Sequence, residues 1–202
     1  MDASAWDQRY AGSDLVWSAT PNQFVAAELA DLPPGRAADL AAGEGRNALW
    51  LATLGWQVSA VDFSAVGLDK GRAVEATLDL EHPVDWVCTD VLAWAPAVAY
   101  DLVVIAYLQV VATERREAVR RAAEALRPGG TLLVVAHDTT NLTEGVGGPQ
   151  DVSVLMTAED VLADLDGIDV DVVRAERVAR EVPGEDAPAT AYDALVRVVR
   201  RG

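Results

Sequence analysis

The sequence predicts an α/β fold: a doubly wound, mostly parallel sheet with helices on both faces and an antiparallel element at its end. Three observations carry this. Strand-like and helix-like segments alternate along most of the chain. Tyr100–Ala106 (YDLVVIA) and Thr131–Ala136 are nearly continuous apolar runs, the mark of strands covered on both faces. The β-rich segments Ile168–Arg180 and Thr190–Arg200 flank the turn-prone EVPGEDAPAT and read as a hairpin.

Each element has a local reason. Residues 1–20 contain no strand signal and are expected to form an amino-terminal arm covering the site, with 21–202 as the core of a single domain. Thr20 is placed to cap a helix, with Pro21 at its first position and Gln23 completing a capping box. Pro33-Pro34-Gly35 stops that helix, and Arg36–Leu40 is the first strand. Asn47–Leu54 reads as a helix closed by Gly55. Gln57–Val61 is a strand ending on Asp62, and Ser64 caps a helix reaching about Leu80. Asp85–Thr89 is a strand ending on Asp90. Glu114–Arg127 is a helix with Ala118, Ala122 and Leu126 on one side, and Pro128-Gly129-Gly130 turns the chain into the fifth strand. Thr157 caps a helix through Leu165.

Composition narrows the class. A chain of 202 residues, 51% of them hydrophobic, suits one domain with a full core. No run is long and apolar enough for a membrane span, and the first residues lack the pattern of a secretory signal. The single cysteine, Cys88, suits a reducing compartment and reads as a small core residue; the cytoplasm is expected. No Cys/His metal spacing occurs. A net charge of −16 disfavours nucleic acid as a partner, because phosphate neutralisation needs a basic face.

In a doubly wound sheet, ligands bind beyond the carboxyl ends of the strands. That rule selects the loop 41–47, Asp62-Phe63, Asp90-Val91, Tyr107-Leu-Gln109 and His137-Asp138. Gly43-Glu-Gly45-Arg-Asn-Ala48 also fits the dinucleotide fingerprint G-x-G-x-x-A. However, Asp39 at the strand end is awkward beside a pyrophosphate and suits a ligand carrying ammonium and sulfonium charges. Asp62 is placed to accept from ribose hydroxyls, Phe63 to stack on a purine, and Asp90 with the Val91 amide to meet an adenine edge. Each residue also has a plainer reading as a turn, a cap or core. Their gathering at one edge favours an adenosine site.

The motifs ADLAAGEGRNALWLA, VSAVDFS, CTDVLAW, YDLVVIAYLQV and LRPGGTLLVVAHD resemble, in order, those of class I S-adenosylmethionine-dependent methyltransferases over nearly the whole chain. GEGRNALWLATLGWQVSAVDFS and the amino-terminal WDQRY…VW…PNQF resemble the group around the tellurite-resistance and thiopurine-type enzymes. The resemblance implies a Rossmann-like seven-stranded sheet with an antiparallel last strand. It also implies S-adenosylmethionine as cofactor, with S-adenosylhomocysteine as product. Asp39, Ala41, Gly43 and Gly45 are then expected around the methionine part. Arg46 and Asn47 cap the helix and reach the amino-acid end. Asp62 holds the ribose, Phe63 lies beside the adenine, and Asp90 with Val91 reads its edge. Ala106 and Tyr107 lie near the sulfonium and the acceptor. Trp17 and Ser64 complete the expected cofactor set. Ala41-Ala42 departs from the Gly-Cys or Gly-Gly of many relatives, so a methyl group must be accommodated at position 41.

Methyl transfer is an in-line displacement in which alignment and exclusion of water do much of the work. A general base is needed only if the acceptor arrives protonated. The candidates are His137, Asp138 and Tyr107; His82 reads as a surface residue. The loop 141–150 is a lid or a plain connection, and Trp6, Arg9, Tyr10 and Trp17 are candidates for the other half of a cover. The expected acceptor is a small molecule taking the methyl on oxygen, sulfur or a metalloid, with no nucleic acid and no membrane as partner. A catalytically silent S-adenosylmethionine-binding protein is the alternative, and an NAD-dependent oxidoreductase is less favoured. Oligomeric state is left open.

Overall fold

The computed structural model describes residues 3–12, 14–16, 20–183 and 187–202. Its helices are α1 (Ala3–Tyr10), α2 (Gln23–Leu29), α3 (Arg46–Thr53), α4 (Ala65–Glu75), α5 (Ala112–Glu124) and α6 (Ala158–Asp164). Its strands are β1 (Arg36–Leu40), β2 (Gln57–Asp62), β3 (Asp85–Cys88), β4 (Tyr100–Ala106), β5 (Leu126–His137), β6 (Val170–Val182) and β7 (Ala189–Arg200). They form one seven-stranded sheet in the order β3-β2-β1-β4-β5-β7-β6. Strands β1 to β5 are parallel, and β7 runs antiparallel to both of its neighbours. The strand order reverses between β1 and β4, which opens the crevice where such sheets bind ligands.

Both faces are covered, so the central strands are apolar on both. In β4, Val103 and Ile105 join a core with Leu132, Val134, Ala118 and Val161, under α5 and α6. The alternate residues Leu102 and Val104 join the opposite core with Leu51, Trp56, Val25 and Leu133, under α2 and α3. This period-2 division is what YDLVVIA encodes. Among the described residues, no helix is long and apolar enough to cross a membrane.

The structure corrects several local expectations. Residues 3–10 form a helix that no periodicity in the sequence signals. The cap of α2 is Asn22, not Thr20: its Oδ1 accepts from the Phe24 and Val25 amides at 2.9 and 3.2 Å. Helix α4 ends at Glu75, short of Leu80. The Glu75 carboxylate instead accepts from Val84 N at 2.7 Å and Trp86 Nε1 at 2.6 Å, fixing the start of β3. Helix α5 spans Ala112–Glu124, and Pro128-Gly129-Gly130 lies inside β5, where the β4–β5 register shifts. Cys88 is exposed rather than core, because β3 is an edge strand paired only with β2. Thr157 does form a capping box, with Asp160.

Candidate active site

The loop after β1 is built from alternating left-handed residues: Ala41 (φ 59°), Gly43 (φ 57°) and Gly45 (φ 75°). It is pinned by Ala42 N to Val61 O (3.1 Å), Gly45 N to Ala42 O (2.8 Å) and Gly43 N to Asp62 Oδ2 (2.8 Å). Ala41 therefore takes the backbone shape of the glycine it replaces, and its methyl packs against the core. A left-handed L-residue costs about 1–2 kcal/mol, and glycine's extra freedom when unfolded costs about 0.5–1. Ala41→Gly is expected to stabilise the protein by up to about 1 kcal/mol, read as a higher urea midpoint. A lowered midpoint contradicts the strain.

Gly45 serves packing as well as approach. A Cβ at Gly45 or at Gly71 would collide with the far edge of the Trp86 indole, which fills the slot between the two. Because Gly45 has no side chain to cap α3, Asp39 does so from β1: its Oδ2 accepts from Ala48 N at 3.1 Å. Asn47 Oδ1 accepts from Asn22 N at 2.9 Å and ties α3 to α2. One acceptor site of that oxygen is thus used inside the protein.

Asp39 is 1% exposed, and its Oδ1 has no hydrogen-bond partner among the described residues. Burial pushes its carboxyl up to about 7, against the Ala48 bond and the Arg46 charge, with Asp62 adding to the rise. Arg46, half-buried, is lowered by burial, opposed by Tyr107 and Asp39. Asp62 accepts from Gly43 N at 2.8 Å on one oxygen and from Ser64 N at 2.8 Å on the other. Burial raises its carboxyl despite these two bonds. Phe63 is half-buried beyond it. Asp90 is exposed, with Oδ1 accepting from Leu92 N at 2.8 Å, and the Val91 side chain is buried in the core.

Ser64 is a correction. It is fully buried; its hydroxyl caps Gly67 N (3.1 Å) and donates to Asp7 Oδ1 at 2.5 Å, docking α1 on α4. It has no hydrogen left for a ligand. The arm is also tied to the glycine loop: Glu44 Oε1 accepts from Val16 N (3.0 Å) and from Lys70 Nζ (3.1 Å), and Lys70 donates to Asp14 O (2.6 Å). Sequence reasoning missed both residues. Trp6 stacks on the buried Tyr10 at 5.5 Å, and Arg9 lies over Trp6. The Trp17 expectation lies outside the described residues.

Ala106 ends β4, and Tyr107, the next residue, is left-handed (φ 60°). Its hydroxyl accepts from Asn22 Nδ2 at 3.0 Å and donates to Asp193 Oδ2 at 2.9 Å. Burial, then the Asp193 charge, hold this phenol protonated well above its usual range, which removes it as a base. Asp138 is also removed: it is 3% exposed, and its Oδ1 caps a short turn through Thr140 N (2.9 Å) and Thr140 Oγ1 (2.7 Å). His137 remains, its ring 4.6 Å from that of Tyr107. Sequence reasoning missed its neighbours Asp193 and Arg180, joined at 2.9 Å. Asp193 is a lone acid in an apolar run (YDALV), the one signal that points to it. The loop 141–150 is a packed connection: Asn141 brackets Tyr192 through bonds of 2.5 and 2.7 Å, Val146 N donates to Thr190 O at 3.0 Å, and Gly148 abuts His137. Among the described residues, no group of three His, Cys, Asp or Glu is placed to hold a metal ion.

A sheet of this order, a glycine loop after β1 and acidic ends on β1 and β2 define the class I S-adenosylmethionine-dependent methyltransferase architecture. Residues 37–130 match the family described as a methyltransferase domain, and the chain has the fold of this class. Among solved structures it is similar to N-methyltransferase NodS from Bradyrhizobium japonicum WM9 in complex with S-adenosyl-L-homocysteine (18% identity, 99% of this chain and 98% of that one, TM-score 0.75). It is also similar to TehB from Haemophilus influenzae (17% identity, 98% and 67%, TM-score 0.73). A third similar structure is described by the conversion of a disulfide bond into a thioacetal group during echinomycin biosynthesis (18% identity, 98% and 91%, TM-score 0.77). No curated protein matches the chain.

Proposed function

We propose that this chain methylates a small-molecule acceptor on oxygen, sulfur or a metalloid, with the cofactor held between Asp39, the glycine loop, Asp62 and Asp90. The observation that carries the reading is Asp39. A buried carboxylate oxygen with no hydrogen-bond partner among the described residues calls for a cation, and an ammonium supplies one where a pyrophosphate does not. Asp62 spends one acceptor site per oxygen on backbone amides, and its remaining lone pairs suit ribose hydroxyls. Asp90 offers its second oxygen at the surface, beside the Val91 amide. Arg46 on the first turn of α3 and Asp39 hold the amino-acid end between opposite charges. When bound, S-adenosylmethionine supplies a methyl carbon made electrophilic by its sulfonium. The docked α1 and the 141–150 connection exclude water, and the aromatic wall of Tyr107 and His137 favours a flat or polarisable acceptor.

Calorimetric titration with S-adenosylhomocysteine tests the placement, and its pH dependence tests Asp39. The free-protein carboxyl titrates near 7, and a cationic ligand favours its ionised form. Binding at about pH 6.5 is expected to release protons. Affinity rises as pH climbs toward about 7 and levels off above it, and Asp39→Asn removes both effects. The same group has a stability sign. Its folded value lies above the unfolded value of about 3.9, so its contribution falls as pH rises from about 4 to about 7. Binding of NAD(H) without S-adenosylhomocysteine would falsify the placement. Labelled cofactor with a panel of phenols, thiols and oxyanions then tests transfer, and binding without turnover on any of them favours a silent binder.

A further inference from the structure

We propose that Asp193 and His137 form a proton-accepting pair, which suits the site to an acceptor arriving with its proton attached, a phenol-like hydroxyl or a thiol, rather than to a metalloid oxyanion. This rests on the methyl-transfer reading above. The two residues face each other across the β5–β7 ladder, directly opposite in register. Asp193 is 0% exposed. Its Oδ2 accepts from Tyr107 OH and Arg180 Nε, each at 2.9 Å. Its Oδ1 lies 3.5 Å from His137 Nδ1, and both atoms are buried with no hydrogen-bond partner among the described residues. That separation is longer than a formed bond, as catalytic contacts often are before substrate binds. Burial alone pushes the Asp193 carboxyl up, but His137, Arg180 and Tyr107 together hold it below its usual range, so it stays ionised.

The His137 ring is clamped. Tyr107 lies on one side, and the Gly148 backbone is so close that an added Cβ there would sit 3.0 Å from the ring. Asp193 selects the Nδ1–H tautomer, which leaves the Nε2 lone pair free. Nε2 is not among the buried unpartnered atoms and makes no hydrogen bond among the described residues, on a side chain 16% exposed. In the step, Nε2 takes the acceptor proton. The acceptor's electron pair forms the new bond to the methyl carbon, and the sulfur–carbon pair returns to sulfur. The imidazolium charge stands opposite the Asp193 carboxylate until the proton passes to solvent. Asp193 is a positioning residue here, and Asp138 takes no part because it caps Thr140. Arg180 shares the Asp193 carboxylate from β6.

The chain has two histidines, so nitrogen-detected NMR of the whole protein separates them, with His82→Gln as the assignment control. The expected result is a neutral His137 in the Nδ1–H form, with His82 in the commoner Nε2–H form. Asp193→Asn should move the His137 ring toward the Nε2–H form, because the acceptor that favours a proton on Nδ1 is weakened. With S-adenosylhomocysteine bound, 4-nitrophenol should bind wild type with its ionised absorbance enhanced, and His137→Gln should lose that enhancement while keeping its S-adenosylhomocysteine affinity. The wild-type tautomer needs no variant, so the pair stands or falls on it even where Asp193→Asn misfolds. Normal S-adenosylhomocysteine binding with His137 in the Nε2–H form overturns this pair alone. No S-adenosylhomocysteine binding to wild type overturns the cofactor placement and this proposal with it.

Discussion

Asp62→Ala is expected to weaken S-adenosylhomocysteine binding by roughly ten- to a hundredfold, the 1–3 kcal/mol that stranding buried polar groups costs. Two losses coincide. The ligand loses the acceptor for its ribose, and the Gly43 and Ser64 amides lose the carboxylate that holds the loop closed. Stability falls as well, by about 1–3 kcal/mol for each amide left without a partner. Asp62→Asn separates the two. It keeps the size and one acceptor oxygen, so it should fall between wild type and alanine in both measurements. Calorimetric titration and urea unfolding read these together. Unchanged affinity in a folded Asp62→Ala protein removes Asp62 from the ligand site.

Gly45→Ala is expected to cost about 2–4 kcal/mol of stability, from a left-handed L-residue plus overpacking against a large side chain. The collision partner is named: the Trp86 indole, held in place by Glu75 at 2.6 Å. Trp86→Leu should therefore recover part of the loss in the double variant, giving a coupling energy well outside the additive range. Unfolding midpoints of the four proteins test this. Strict additivity would mean that the indole moves aside and that Gly45 is needed for its backbone alone. The arrangement also explains why this glycine stays when Ala41, equally left-handed, does not: position 41 has room for a methyl and position 45 has none.

Much of the fold was legible because it is written locally. The apolar run of β4, the glycines after β1 and the acids ending β1 and β2 each report their own surroundings, and the sheet rule gathers them at one edge. What stayed hidden depends on partners distant in sequence. Thr20 and Asn22 are both good caps, and the choice fell on Asn22 because its amide and side chain also reach Asn47 and Tyr107. Helix α1 is short and polar, and no periodicity announces its bond from Ser64 to Asp7 or the burial of Tyr10. Trp86 reads as an ordinary strand aromatic until Gly45 and Gly71 are seen on either side of it. Arg180 and Asp193 sit in a hairpin whose alternating charges resemble a solvated surface. Only the place of β7 between β5 and β6 turns Asp193 into a buried carboxylate.

That place between β5 and β6 bears on how the molecule is made. Strand β7 follows β5 and β6 in the chain yet lies between them. During synthesis β5 therefore emerges with an open edge that β6 cannot close directly, because the strand that joins them has not been made. His137 on β5 and Arg180 on β6 are both waiting for one carboxylate, Asp193, and it arrives on β7. Docking of β7 thus seals the exposed edge and gives both side chains their partner in one event. A nascent chain stalled before β7 would be open to pairing with a neighbour's strand, whereas the finished chain offers that edge to nothing.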